Sequence, residues 1–352
     1  MASQPGQGQT SQGLNDTSIP SNMLASGPPY HPLFALFGQY PSTSADDPIG
    51  AVLLVLFVTA AGFNITIYLH NVYHHHHFFV SFLLFIFCMA RVIANALRIA
   101  WASRLENAKI IIATQVFISA GVVMLFVINL ALTQRLFRAY HPHLGWSKTM
   151  TVAFKMLYAS ITADIAMVVV ALVYGFYTRD LSKLSKVRHV QRTGVTYLAV
   201  VAFLPLPITA LCVFLPRKSD IEKFGHGRMR TKVRLVVFAA MLLSLGAGFR
   251  AGIALMGPRL STDPAWYHHK ACFYVFTYGI EIVVVYTFLL FRIDRRFHIP
   301  DGSSAPGHYS ASVKSTIGNH ELSEASTDSQ VLGDVEQARP SREGEEQTGL
   351  KA

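Results

Sequence analysis

Charged residues are scarce in this sequence. Asp, Glu, Lys and Arg make up 14% of the 352 residues, whereas they form about a quarter of an ordinary soluble domain. Hydrophobic residues make up 51%, so an ordinary soluble enzyme is excluded. Only three cysteines are present, Cys88, Cys212 and Cys272, and each lies within or beside an apolar run. Neither a disulfide framework nor a thiolate metal site is therefore predicted.

Positive charge is absent from one end of the chain. Residues 1–48 contain no Lys or Arg and three acidic residues, and residues 292–352 contain seven basic and ten acidic residues. The central block, residues 49–291, contains 23 basic and seven acidic residues. A basic membrane domain between acidic tails favours contact with anionic lipid headgroups and not with nucleic acid.

The sequence also lacks the motifs of several enzyme and receptor classes. It has no phosphate-binding loop, no Gly-x-Ser-x-Gly elbow and no His-Glu-x-x-His. Lys270 lies just before the last apolar run and no lysine lies within it, which argues against a retinal Schiff base. The rhodopsin-like receptor signatures are missing as well. We therefore predict a protein that is not an enzyme, with no catalytic residue and no cofactor.

Seven long apolar runs are present. Each has 21 to 25 residues, enough to cross a hydrocarbon core of about 30 Å at about 1.5 Å per residue. They predict an all-α, polytopic membrane protein with a seven-helix transmembrane bundle. The runs cover residues 49–69, 78–100, 110–132, 150–174, 194–215, 234–256 and 271–291.

The two tails predict an orientation. Residues 1–48 are rich in Gly, Ser, Gln and Pro and are predicted to be a disordered extracellular or lumenal tail, in which Asn15 heads a glycosylation sequon. Residues 292–352 are predicted to be a cytoplasmic basic juxtamembrane segment followed by a disordered tail. The five basic residues of loop 175–193 argue against this orientation. The expected location is the plasma membrane or an endomembrane.

Ionisable residues inside the apolar runs are the first candidates for function, because charge in a bilayer is costly. In the second run Arg91 and Asn95 share a helical face, and Arg250 and Glu281 lie in the last two runs. Together with Asp164 they predict a polar cavity within the membrane, lined by Arg91, Asn95, Asp164, Arg250 and Glu281. The alternative is that the arginines pair with the acids and only stabilise helix packing.

Small residues in the sixth run predict a packing ridge. Ser244, Gly248 and Gly252 recur at four-residue spacing, which is typical of close helix contacts in membranes. Arg250 projects from nearly the opposite side of the same helix, so one helix is predicted to pack through its small residues and to present its guanidinium to a cavity.

A run of histidines follows the first span. His70 and His74 are one helical turn apart, which makes them candidate zinc ligands. No Cys, Asp or Glu lies in that loop, and the alternative is a solvated tract at the lipid interface. No metal site is included in the predicted function.

Three segments carry a family resemblance. They are Gly-Phe-Arg-Ala-Gly (248–252), Trp-Tyr-His-His-Lys-Ala-Cys-Phe-Tyr-Val-Phe (266–276) and Arg-Ile-Asp-Arg-Arg-Phe-His-Ile-Pro-Asp-Gly (292–302). Over about residues 49–302 the chain resembles a fungal seven-transmembrane family of unknown function, and more distantly the fungal lipid-translocating exporters of amphiphile resistance. The exporters carry acids after the span-six arginine and beside Tyr-x-Phe. Here residues 251–254 contain no acid, and Lys270 and Thr277 stand near the expected acids beside Tyr-x-Phe.

These observations predict an integral membrane protein that binds or translocates a lipid or amphiphile through the polar cavity. The partners expected are membrane lipids and an amphiphilic ligand. The alternative is a receptor-like sensor that signals to a cytoplasmic protein through the basic loop 216–233. A third interpretation is a structural membrane protein in which the buried charges only stabilise the bundle.

Overall fold

The structure of the chain is a computed structural model that describes residues 27–32, 34–74, 78–216, 221–261, 263–299, 302–303 and 305–310. In this part of the chain seven helices are long and apolar enough to cross a membrane. The predicted all-α, seven-helix fold is therefore confirmed, and the molecule is an integral membrane protein. The sequon at Asn15 lies outside the described residues.

The seven helices are connected by segments short enough to make neighbours antiparallel. We call the side on which α1 begins the N-terminal side and the opposite one the C-terminal side. The helices are α1 (Asp46–Tyr73), α2 (Phe79–Ser103), α3 (Ala108–Tyr140), α4 (Lys148–Gly175), α5 (Leu181–Phe214), α6 (Met229–Leu255) and α7 (Lys270–Leu290).

Several helices extend beyond their apolar runs. The largest difference is at α5, which begins at Leu181 within the segment 175–193 that was predicted as a loop. The Asp180 carboxylate accepts a hydrogen bond from the Ser182 amide at 2.9 Å, which caps this helix. The following Lys and Arg residues favour helix, so α5 continues past the apolar part of its sequence. It is interrupted at Leu204, immediately before Pro205.

Helix α3 lies at the centre of the bundle. It contacts α2, α4, α5 and α6, and its buried residues lie on several sides of the helix. A helix that is apolar all round is expected in such an interior position. The other helices are arranged around it and expose apolar side chains outward, as a lipid-facing surface requires.

The segment before α1 is ordered from residue 27, so the prediction of a disordered tail as far as residue 48 is wrong for this part. Its backbone bonds to the rest of the chain: the Tyr30 amide donates to the Phe176 carbonyl at 2.7 Å and the Ala35 amide to the Arg259 carbonyl at 2.9 Å. Phe37 contacts the Phe273 ring at 5.3 Å between centroids. A few aromatic residues are enough to hold a segment whose average composition is polar.

On the C-terminal side, the loop before α6 packs against the segment that follows α7. Phe224 is buried and its ring contacts those of Phe297 and Tyr309. The Glu222 carboxylate accepts a hydrogen bond from the Gly307 amide at 2.7 Å. Disorder was predicted for the tail that follows the juxtamembrane segment, but residues 302–303 and 305–310 belong to the segment that packs against this loop. We call the loop and the packed segment together the C-terminal cap. Residues 311–352 lie outside the described residues.

Candidate functional site

Arg91 and Glu281 form an ion pair in the interior of the bundle. The Arg91 Nη2 atom lies 2.5 Å from Glu281 Oε1, and the side chains are 0% and 1% exposed. Arg91 Nη1 also donates to the Ile118 carbonyl of α3 at 3.1 Å. The pair therefore connects α2, α3 and α7. Both residues were predicted to lie in the polar interior, and the structure brings them into contact.

A glycine makes room for the Arg91 guanidinium. A Cβ atom at Gly121 of α3 would lie 3.1 Å from Arg91 Cζ, closer than ordinary van der Waals contact. Asn95, one turn along α2, donates from Nδ2 to the Arg91 carbonyl at 2.9 Å. Asn95 is thus adjacent to the pair, as its spacing predicted, and stabilises the backbone of α2.

A second charge cluster lies on the N-terminal side. The Asp46 carboxylate accepts hydrogen bonds from Arg98 Nη2 at 2.8 Å, Lys270 Nζ at 2.6 Å and the Tyr274 hydroxyl at 2.7 Å. Asp46 is 1% exposed. The sequence interpretation missed this cluster because it placed Asp46 in the disordered tail. The polar faces of the second and seventh spans, with Arg98, Lys270 and Tyr274, were the available signal.

Between the two clusters α7 is locally widened. Tyr274–Gly279 form a π-helical turn, a distortion often found at functional sites. Five buried polar atoms around it have no hydrogen-bond partner within the described part of the chain. They are Arg91 Nε, Asn95 Oδ1, Thr277 Oγ1, Tyr278 Oη and Glu281 Oε2. Buried polar groups are rarely left unpaired, so this layer has the chemistry to bind small polar species such as water.

A cavity of about 410 Å³ opens beside α3, α4, α5 and α6. The segment before α1 covers part of it with Tyr30, Phe34 and Phe37.

The deeper wall of the cavity is apolar. Val122 and Phe126 of α3 lie one and two turns further toward the C-terminal side than Ile118, and Leu198 and Ala247 line the cavity opposite them. A volume of this size is within the range of sites for small amphiphilic ligands.

The wall of the cavity nearest the N-terminal side is cationic. None of the described residues that line it is acidic, while five are arginines. Arg259 has an acidic partner, Asp263, at 3.1 Å. The Arg192 Nε atom donates to the Ala254 carbonyl at 3.0 Å, and Arg179 and Arg188 lie over the rings of Tyr30 and Phe34. Such a wall attracts an anion.

The fifth of these arginines, Arg250, is the deepest in the cavity. It is half-buried, and among the described residues no hydrogen-bond or ion-pair partner contacts its guanidinium. It is close enough to Glu281 and Arg91 to interact with both charges through space. Arg250 therefore carries a positive charge that is turned to the cavity and that no direct contact neutralises.

Two histidines also line the cavity, His31 from the segment before α1 and His268 from the turn before α7. Burial lowers the pKa of each imidazole below its ordinary value. The Nδ1 atom of each is buried without a partner in the described structure. The uncharged form of both rings is thus favoured, and in this form each can donate or accept a hydrogen bond at the cavity wall.

The predicted cavity differs from the observed one in its residues. Of the five predicted lining residues only Arg250 lines it. Arg91, Asn95 and Glu281 lie behind the cavity in the interior. Asp164 faces α5, where a Cβ atom at Gly194 would lie 3.0 Å from its Oδ1. Helical spacing assigns residues to a face of their own helix but does not determine which helices are neighbours.

The predicted packing ridge of α6 is wrong for its glycines. A Cβ atom at Gly248 or Gly252 would meet no atom within 4 Å. The close contact is at Gly246, where a Cβ atom would lie 2.8 Å from the Phe276 carbonyl oxygen of α7. Ser244 does contact a neighbour, donating to the Ala202 carbonyl of α5 at 2.9 Å. The face of α6 that contacts α7 is therefore rotated about the helix axis relative to the predicted face.

The remaining candidates lie on the C-terminal side. His70 and His74 contact each other with ring centroids 4.6 Å apart, and no group of three or more metal-ligating side chains occurs within the described residues. Lys232, at the end of the basic loop 216–233, is fully buried and donates to the Phe224 carbonyl. Its charge is therefore not displayed at the surface.

Comparison with known proteins gives one match. Residues 222–298 match the model of a family described as protein of unknown function (DUF3112). No curated protein and no solved structure matches the chain. The matched segment contains α6 and α7, and therefore both Arg250 and Glu281. The segment includes two of the five arginines of the cavity wall, Arg250 and Arg259, and one member of the interior pair, Glu281. The match assigns no activity to them.

Proposed function

We propose that the protein binds an anionic amphiphile, such as a lipid, in the cavity beside Arg250. The observation that carries this proposal is the unpaired Arg250 in a wall with five arginines and no acidic residue among the described ones. The headgroup bonds to the guanidinium, and the apolar chain contacts Val122 and Phe126 in the deeper wall. Charge-assisted hydrogen bonds of this kind contribute about 1.5–3 kcal/mol each.

This choice of ligand is in line with the resemblance to the fungal lipid-translocating exporters noted from the sequence, in which Arg250 corresponds to the span-six arginine. We further propose that the amphiphile moves between leaflets through this cavity. In this proposal the N-terminal side faces outward and the C-terminal cap faces the cytoplasm, in the plasma membrane or an endomembrane. The cavity then accepts its ligand from the outer side.

The binding proposal is tested with purified full-length protein in nanodiscs of zwitterionic lipid. The probes are dodecyl sulfonate, dodecyl trimethylammonium and dodecyl maltoside, which share one chain and differ in charge. We expect the sulfonate to bind and the Arg250→Gln variant to lose at least about ten-fold in affinity, because one charge-assisted bond is removed. Arg104→Gln, at an exposed arginine outside the cavity, is the matched control. Equal affinity for all three probes would contradict the proposal.

The transport part has a separate test. Reconstituted vesicles with fluorescent anionic lipids should show faster exchange between leaflets than protein-free vesicles, and Arg250→Gln should reduce the difference. Lipid movement no faster than in protein-free vesicles, for the wild type and for Glu281→Gln alike, would leave a protein that binds amphiphiles without moving them.

A further inference from the structure

Glu281 lies between two arginines that belong to different parts of the molecule. Arg91 of α2 contacts it directly at 2.5 Å. Arg250 of α6 lines the cavity. Its helix packs against α7 beside Glu281, since a Cβ atom at Gly246 would lie 2.8 Å from the Phe276 carbonyl oxygen and 3.2 Å from Ile280 Cδ1. The Arg250 charge is therefore near enough to act on the carboxylate through space. The carboxylate thus connects the interior ion pair to the ligand site electrostatically, without lining the cavity itself.

The charged and titratable groups around Glu281 are few. Arg91 and the Cys88 thiol face it from α2, Arg250 from α6, and the Tyr278 hydroxyl from α7 itself. The nearby positions of α1 and α3 are Phe57 and Gly121, which carry no charge. Among the described residues this group therefore consists of two cations and one carboxylate, with an excess positive charge when Glu281 is ionised.

One oxygen of Glu281 is free to accept a proton. Oε1 bonds to Arg91, whereas Oε2 is buried and has no partner in the described structure. Burial disfavours the charged carboxylate and the two guanidiniums favour it, so the balance depends on both arginines. The π-helical turn beside it leaves Tyr278 Oη and Thr277 Oγ1 unpaired as well.

Polar side chains are spaced along α7 from this layer to the N-terminal side. Tyr278 is followed by Tyr274 one turn earlier, and the Tyr274 hydroxyl donates to Asp46 at 2.7 Å. Asp46 bonds to Lys270, which is 21% exposed. Polar side chains at these spacings can hold the waters through which a proton reaches a buried carboxylate.

We propose that Glu281 takes up one proton from solution when an anionic headgroup binds beside Arg250. This inference rests on the proposed function. The bound anion neutralises the Arg250 charge and so removes part of the potential that keeps Glu281 ionised. An O–H bond then forms at Oε2 and no other bond changes. By linkage the effect is reciprocal, so protonation of Glu281 strengthens anion binding to the same extent.

The test measures binding and proton uptake together on the full-length protein in zwitterionic nanodiscs. Dodecyl sulfonate is the probe, because its charge does not change between about pH 5 and about pH 9. We expect up to one proton to be taken up per bound probe in weakly buffered solution. Affinity should rise by up to about ten-fold per pH unit as the pH falls. Glu281→Gln should bind at all pH values with neither effect.

Two controls separate Glu281 from other titrating groups. His31 and His268 line the same cavity, so the double variant His31→Gln/His268→Gln should take up as many protons per bound probe as the wild type, whatever its affinity. Infrared difference spectra of the wild type should show a carboxylic acid C=O band on binding, and Asp164→Asn should keep that band. This spectroscopic readout needs no Glu281 variant and so does not depend on the folding of one.

The outcomes are distinct. Absence of sulfonate binding at any pH would overturn the proposed function and this inference together. Binding with an affinity independent of pH would overturn only the proton coupling. Proton uptake that disappears in the histidine double variant and persists in Glu281→Gln would also overturn it, because the proton would then be held at the cavity wall.

Discussion

Arg91 and Arg250 are both arginines within membrane-spanning helices, but their surroundings differ. Arg91 is 0% exposed and bonds to a carboxylate and to carbonyl oxygens of α3. Arg250 is half-buried beside a cavity of about 410 Å³ and contacts no acidic residue within the described structure. Paired buried charge is typical of stabilisation, whereas unpaired charge at a cavity indicates a ligand site. The sequence predicts either a ligand cavity or stabilising ion pairs for one set of residues. In the structure Arg91 forms an ion pair and Arg250 lines the cavity.

The largest effect should come from breaking the interior pair. Arg91→Ala leaves Glu281 buried without a cation in direct contact, and such a loss costs about 3–5 kcal/mol of unfolding free energy. The measurement is the midpoint of thermal unfolding in neutral detergent. The double variant Arg91→Met/Glu281→Leu should recover most of the loss, because neither charge is then left unpaired. A single variant as stable as wild type would show that the pair contributes little.

A smaller loss is expected at the glycine that accommodates this pair. Gly121→Ala would place a Cβ atom 3.1 Å from Arg91 Cζ, and displacement of the guanidinium should cost about 1–3 kcal/mol. Gly248→Ala on α6 is the matched control, since its Cβ atom would meet no atom within 4 Å. Equal thermal midpoints for the two variants would mean that the interior is less closely packed than the structure indicates.

Removal of the Asp164 charge should stabilise the protein, whereas removal of the Arg91 charge should destabilise it. Its Oδ2 atom is buried without a hydrogen-bond partner, and no cation pairs with it among the described residues. Asp164→Asn removes the charge at constant size and should raise the unfolding free energy by about 1 kcal/mol. Thermal unfolding at pH 8 is the measurement. A clear loss of stability would reveal a cation or bound ligand that needs the Asp164 carboxylate.

The smallest stability effect should be at Arg250. Because no direct contact is lost, Arg250→Gln should change the unfolding free energy by less than about 0.5 kcal/mol. The same variant should lose the sulfonate affinity described above, so binding and stability separate at this residue. A destabilisation as large as that of Arg91→Ala would mean that Arg250 stabilises the fold and that the cavity is incidental.

Part of this arrangement could be predicted from the sequence. The apolar runs predicted seven helices, and the ionisable and polar residues within them predicted that Arg91, Asn95 and Glu281 face the interior. Periodicity gives the direction of a side chain around its own helix and no information on the neighbouring helix. For this reason Asp164 was grouped with residues that it does not contact, and Gly246 was missed as the contact residue of α6.

The N-terminal segment shows a second limit. Composition averaged over residues 1–48 predicts disorder, yet Phe37 and Asp46 within it make specific contacts. Asp46 stabilises two cations, and the segment covers the cavity with Tyr30 and Phe34. An average composition does not identify single residues that make many contacts. The cationic wall was missed for a related reason, since four of its five arginines, Arg179, Arg188, Arg192 and Arg259, come from segments that were predicted as loops.

The most direct measurement is an experimental structure of the full-length protein in zwitterionic nanodiscs with dodecyl sulfonate bound. The account predicts that the sulfonate lies within about 3 Å of the Arg250 guanidinium, at hydrogen-bond distance. It also predicts that the alkyl chain extends along Val122 and Phe126. A probe bound elsewhere while the cavity beside Arg250 stays empty, or one with its alkyl chain against the arginines, would contradict it.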